Sequence, residues 1–247
     1  TRAVAITANG RTLDARLYVP ENAGEGIVLY LHGGGWVIGS LSTHDRLTRM
    51  LASLSGMRFL GINYRKAPEH PYPAALEDTL EAWGWMQANA ASLGVKRFAM
   101  AGDSAGANLA MAAAMVLGAA GPASVASLYG VLDSNLDTVS YIMRGDGRFG
   151  LSRASMAQFW DLYCADANQR RSFTLAPSRA MADQLRLIRR PFLLAAGLDP
   201  LRDDSRRMRD ELLAAGVPTI YSEYPRANHG FCHLSATSAA ARAALGE

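Results

Sequence analysis

Cysteine is almost absent. Cys164 and Cys232 are the only two in 247 residues, they form no CxxC pair, and no Cys/His spacing matches a zinc-binding set. A disulfide scaffold and a zinc module are thereby excluded as the basis of the fold, and both thiols read as structural. Apolar runs never approach the ~20 residues that a membrane span needs, and no charged-then-apolar leader opens the chain. Internal repeats, low-complexity tracts and a GK[ST] phosphate loop are missing as well. Net charge is small, with 25 Lys and Arg against 22 Asp and Glu. The arginine-rich stretches at 186–190 and 202–209 are interleaved with apolar residues or with Asp203 and Asp204, which suits solvated helix faces better than a nucleic-acid surface. A soluble, cytoplasmic protein is expected.

What is present is a large apolar fraction, 49% of the chain, enough for one sizeable core. Strand-like runs at 26–31, 57–64, 97–101, 124–132, 191–197 and 218–224 alternate with helix-like stretches at about 43–55, 74–92, 105–118, 201–215 and 234–245. Such alternation predicts an α/β fold, a mostly parallel sheet flanked by helices. Two short alternating runs before it, joined through Asn9-Gly10, predict a hairpin. The rhythm breaks between Ser134 and Arg190, where a single helix is predicted at about 151–164. This stretch is expected to be an insertion over the active edge of the sheet, within a single domain spanning 1–247.

The sequence "GDSAG" places Ser104 between Gly102 and Gly106, where an apolar strand meets an Ala-rich helix. A sharp strand-to-helix bend crowds the backbone, so small residues two before and two after the serine are needed, and the hydroxyl is left projecting from the sheet. Ser104 is therefore the candidate nucleophile. The alternative is a Gly-rich helix start capped by Ser104 or Asp103. A second feature favours chemistry: "LHGGGW" puts Gly33, Gly34 and Gly35 directly after a buried strand. Their N–H groups, with that of Ala105, could hold a developing oxyanion.

A serine nucleophile needs a base, and the base needs an orienting acid. In the order Ser, acid, His, only His229 and His233 follow Ser104. His229 lies on a loop beside Gly230 and is the chosen base, whereas His233 reads as a helix-terminal polar residue. His32 is expected to orient the glycine loop, His44 to belong to a surface helix and His70 to a proline-rich bend. Asp199, just after a buried strand, is the chosen acid, with Asp133 as its rival. Asp203 and Asp204 suit the helix dipole, and Asp103 suits a local hydrogen bond. Tyr64 and Arg65, in "YRKAPEHPYP", read as architectural.

With these residues in view, the sequence resembles the hormone-sensitive-lipase-like family of α/β-hydrolases, in its GDSAG-type branch of bacterial esterases. The likeness runs from about Ile27 to Phe231 through "HGGGW", "YRKAPEHPYPAALED", "GDSAGANLA", "DPLRDD" and "HGF". It implies an α/β-hydrolase fold, a triad of Ser104, Asp199 and His229, and oxyanion donors at Gly34, Gly35 and Ala105. Members of the family usually carry cap helices ahead of the first strands. Here only 31 residues precede His32, so a reduced cap built mainly from 134–190 is expected. Trp36, Phe159, Trp160 and Tyr163 are candidates to line the substrate pocket.

The implied activity is hydrolysis of short-chain carboxylic esters through an acyl-enzyme, with neither metal nor cofactor required. The expected partners are a small-molecule ester and water, with no nucleic acid and no membrane span, and with a homo-oligomer left open. An arylformamidase or other amide hydrolase would use the same triad. A non-catalytic binding protein of this fold, like the plant gibberellin receptors, would lack the catalytic histidine, which this chain keeps as His229.

Overall fold

The computed structural model describes residues 1–8, 10–234 and 238–245. Its strands are β1 (Arg2–Ala8), β2 (Arg11–Tyr18), β3 (Gly26–Leu31), β4 (Arg58–Ile62), β5 (Arg97–Asp103), β6 (Val125–Leu128), β7 (Pro191–Ala196) and β8 (Ile220–Tyr224). They form one 8-stranded sheet in the order β1-β2-β4-β3-β5-β6-β7-β8. The β1–β2 and β2–β4 pairs are antiparallel, and every pair from β4 across to β8 is parallel. The expected hairpin is β1–β2. Gly10 in its turn has φ +74°, whereas Asn9 lies outside the described residues.

The helices are α1 (Asp45–Ser55), α2 (Ala74–Ala88), α3 (Ala90–Leu93), α4 (Ala105–Leu117), α5 (Val139–Arg144), α6 (Arg153–Tyr163), α7 (Ala182–Leu185), α8 (Arg202–Ala214) and α9 (Ala239–Leu245). Strand β3 shows how they are layered. It is buried throughout, as a central strand covered on both faces must be. Its two-residue period then sorts the side chains. Ile27, Leu29 and Leu31 pack in one core with residues of α2, α4 and α8, while Val28 and Tyr30 pack in another with residues of α1 and α9. Among the described residues, no helix is long and apolar enough to cross a membrane.

Several boundaries differ from those predicted. Strand β6 stops at Leu128, inside the apolar run 124–132, because Tyr129 takes φ +40° and turns the chain. The helix expected over 74–92 breaks at Asn89 into α2 and α3. Of the helix expected over 234–245, α9 is described, and residues 235–237 lie outside the description. The 134–190 segment holds α5 and α7 as well as the predicted α6, together with 3₁₀ turns at Gln169–Arg171 and Pro177–Arg179. Helices of six and four residues are too short for hydrophobic periodicity to announce them.

Candidate active site

The bend between β5 and α4 has no room for larger residues. A Cβ on Gly106 would lie 1.9 Å from the Leu31 carbonyl oxygen, and one on Gly102 would lie 2.4 Å from the Gly106 carbonyl carbon. Between them Ser104 adopts φ 54° and ψ −119°, a conformation costly for any residue with a side chain and typical of a functional turn. Its Oγ lies 3.0 Å from Nε2 of His229, and Nδ1 of that ring lies 2.7 Å from Oδ2 of Asp199. The second oxygen of Asp199 accepts the Leu201 N–H at 2.9 Å, so the buried carboxylate is fixed from both sides. A carboxylate can only accept here, which puts the ring proton on Nδ1 and leaves the Nε2 lone pair facing the serine hydroxyl. Burial alone would lower the His229 pKa. The charge and hydrogen bond of Asp199 outweigh it and leave the ring raised above the usual histidine value. Tyr129 stands edge-on to this ring at 5.1 Å between centroids.

The glycine loop is held just as firmly. Asp103 Oδ1 accepts the Gly33 N–H at 3.0 Å, which occupies that donor and leaves those of Gly34 and Gly35 as the triplet's candidates for a ligand oxygen. Both glycines have positive φ, +122° and +58°. Added Cβ atoms would lie 2.2 Å from the Ile38 carbonyl oxygen and 2.4 Å from the Phe159 ring, respectively. His32 donates from Nδ1 to the Gly33 carbonyl at 2.7 Å and stacks on Tyr64, whose hydroxyl donates to the His32 carbonyl. Burial pushes the His32 imidazole down to about 4, so it is neutral at pH 7 and serves as a prop. Ala105 opens α4 beside Ser104, where the helix N-terminus favours negative charge.

A family model described as "alpha/beta hydrolase fold" matches residues 28–233. The chain belongs to this family, in its hormone-sensitive-lipase-like branch. An acetyl esterase of Salmonella schwarzengrund is 35% identical over 243 residues, covering 95% of this chain and 74% of the relative. Among solved structures, a thermostable esterase from Pseudomonas putida has a TM-score of 0.92 at 32% identity, covering 99% of this chain and 79% of that one. The hyperthermophilic esterase of the archaeon Pyrobaculum calidifontis reaches 0.93 at 32% identity, with 99% and 82% covered.

Other residues of this hydrolase sit where the sequence did not lead. Asp133, the rival acid, is buried and held by Arg179 Nε at 2.7 Å, Arg207 Nη1 at 2.8 Å and the Ser134 N–H at 2.7 Å. Those partners make it an anchor for the start of the 134–190 segment. Asp204 is not a solvated helix-dipole carboxylate but is buried, accepting the Leu132 and Asp133 N–H groups. Burial raises its carboxyl well above the usual range. Asp203 accepts the Ser140 N–H. His44 is not on a surface: it is buried at the start of α1, with Nε2 3.3 Å from Asp103 Oδ2. His233, in a 3₁₀ turn at Phe231–Leu234, brings its own Nε2 to 3.5 Å from the same oxygen. The carboxyl of Asp103, which burial would raise, is held well below its usual range by these two rings.

The aromatic residues divide. Trp36 and Trp160 have no exposed surface, and Trp36 stacks on Tyr163 at 4.5 Å. Neither indole offers a face to a substrate, because each is consumed in packing behind the glycine loop. Phe159 is half-buried, with its ring against Gly35. Arg65 spends its guanidinium on Asp78 and Glu77, as an architectural residue would.

Proposed function

We propose that this chain hydrolyses esters of short acyl groups, with Ser104 as nucleophile, His229 as general base and acid, Asp199 as orienting carboxylate, and the N–H groups of Gly34, Gly35 and Ala105 as oxyanion donors. That it is a carboxylic-ester hydrolase follows from its family and its esterase relatives. The residue roles rest on one observation above all, the unbroken Ser104–His229–Asp199 hydrogen-bond chain. In this scheme Ser104 Oγ attacks the ester carbonyl as its proton passes to His229 Nε2. The negative oxygen of the tetrahedral intermediate rests against the backbone donors, and His229 gives the proton to the leaving alkoxide. Water, deprotonated by the same ring, then attacks the acyl-enzyme and frees the acid.

The short-acyl preference is supported by packing. An acyl chain gains about 0.8 kcal/mol for each CH₂ it buries, but only where apolar space receives it. Behind the glycine loop that space is filled by Trp36, Trp160 and Tyr163. Relatives named acetyl esterases agree with this. In a series of p-nitrophenyl esters, kcat/KM is expected to be highest between acetyl and hexanoyl. A rise that continues past decanoyl, measured below micelle concentrations, would contradict it. The 134–190 segment, with Phe159 on α6, acts in this reading as a reduced cap. A cytoplasmic location is part of the same reading, and fractionation of the native cells tests it.

The pH profile tests the base. Serine activation requires neutral His229, and its folded pKa is raised above the ordinary value of about 6.5. Activity should therefore be lost as pH falls through that raised value, with the midpoint of kcat/KM above 6.5. In Asp199→Asn the raising charge is gone and the midpoint should drop. A profile flat from pH 5 to 8, with chemistry limiting, would exclude a histidine base.

A further inference from the structure

The His44–Asp103–His233 cluster lies behind the glycine loop and takes no part in the proposed reaction. Its donor atoms come from three separate places: the start of α1, the end of β5 and the turn after β8. The two rings both approach Asp103 Oδ2, at 3.3 and 3.5 Å, and all three ligand atoms lie within 4.8 Å of one another. Those two contacts are long for charge-assisted hydrogen bonds, which cluster near 2.7–2.9 Å. They match the edge of a tetrahedron with metal bonds of about 2.0–2.1 Å, roughly 3.3–3.5 Å.

Proton accounting points the same way. The Thr43 hydroxyl lies 3.0 Å from the Ser40 carbonyl, which can only accept, and 2.8 Å from His44 Nδ1. In the tautomer with the Thr43 proton on Ser40, Thr43 accepts from Nδ1–H and the Nε2 of His44 carries a lone pair. The Gly33 N–H, donated to Asp103 Oδ1 at 3.0 Å, lies only 3.3 Å from that nitrogen and leaves its lone pair to a ligand. In that tautomer two acceptors, His44 Nε2 and Asp103 Oδ2, face each other in a buried setting, where a cation between them is favoured. The other oxygen of Asp103 is already engaged by Tyr30 and Gly33, so Oδ2 is the one available. His233, about a third exposed, opens the site to solvent on one side.

We propose that His44, Asp103 and His233 form a binding site for a divalent transition cation of the zinc type, with water completing the shell. Its role is to clamp the turn that follows His229 onto the residue preceding Ser104. The site is independent of the triad assignment, because every readout below is of binding and not turnover.

Titrating metal-stripped protein with zinc chloride should give one site per chain. At a hundred times the dissociation constant the melting temperature should rise by about 5–10 °C. His233→Ala should weaken binding at least tenfold and remove most of that rise. Anomalous scattering at the zinc edge from a wild-type crystal soaked in zinc should show a peak among the three side chains, which locates the site even if a variant folds poorly. Absence of zinc binding and of thermal shift would mean that the cluster is held by shared protons alone and would overturn the proposal. So would unchanged binding in His233→Ala, or an anomalous peak elsewhere.

Discussion

Ser104→Ala is expected to abolish ester turnover, lowering kcat by on the order of 10⁶, the scale on which loss of a triad nucleophile acts. The size follows from what remains. Without Oγ there is no atom to form the acyl-enzyme, and the glycine-loop donors retain only whatever help they give to direct attack by water. The substitution should cost little stability. Ser104 caps no helix with its side chain, its Oγ is hydrogen-bonded to His229, and an alanine must tolerate the same φ of 54° that the serine already does. Circular dichroism and the melting temperature should therefore match the wild type while p-nitrophenyl acetate hydrolysis vanishes. Retained turnover in well-folded Ser104→Ala would remove the serine from the mechanism.

Asp199→Asn is expected to lower kcat by roughly 10⁴, with KM nearly unchanged. The carboxylate makes two contacts that decide this. Its Oδ2 fixes the Nδ1 proton of His229, and its Oδ1 accepts the Leu201 N–H. An amide can still accept from Leu201. Toward the ring it can present an N–H, which would drive the imidazole into the opposite tautomer, with its proton on Nε2 aimed at Ser104. The lone pair needed to take the serine proton is then lost, and so is the negative charge that stabilises the imidazolium. A loss of less than tenfold would indicate that another carboxylate orients His229. Asp133 is badly placed for that, tied as it is to Arg179 and Arg207.

Much of this was legible in the sequence because the chemistry demands particular residues at fixed local spacing. The elbow glycines could be read since a Cβ at either would enter backbone, and Asp199 and His229 because each follows a strand end at the same edge of the sheet. Alternating apolar runs gave the sheet its strands. What local sequence does not carry depends on contacts between distant segments. Nothing local in "STHD" says that His44 turns inward to meet Asp103, 59 residues away, and nothing near His233 says that its ring joins them. Asp204 reads like any acidic residue in a first helical turn, yet tertiary packing buries it to hold the backbone after β6. Trp36 and Trp160 suit a pocket by their type, but whether each is wall or core is decided by α6 folding over the glycine loop, and both are core. The helix α5 buries Ser140 and Tyr141 but leaves Val139, Ile142 and Met143 exposed, so it has no apolar stripe from which it could be inferred.

The central claim is that Ser104 carries the acyl group, and trapping the covalent adduct tests it most directly. The wild-type enzyme, treated with a fluorophosphonate and digested, should give a single modified peptide containing "GDSAGANLA" with the added mass on Ser104. Ser104→Ala should take up none. Full labelling of Ser104→Ala, or the adduct mapped to another residue in the wild type, would contradict the account.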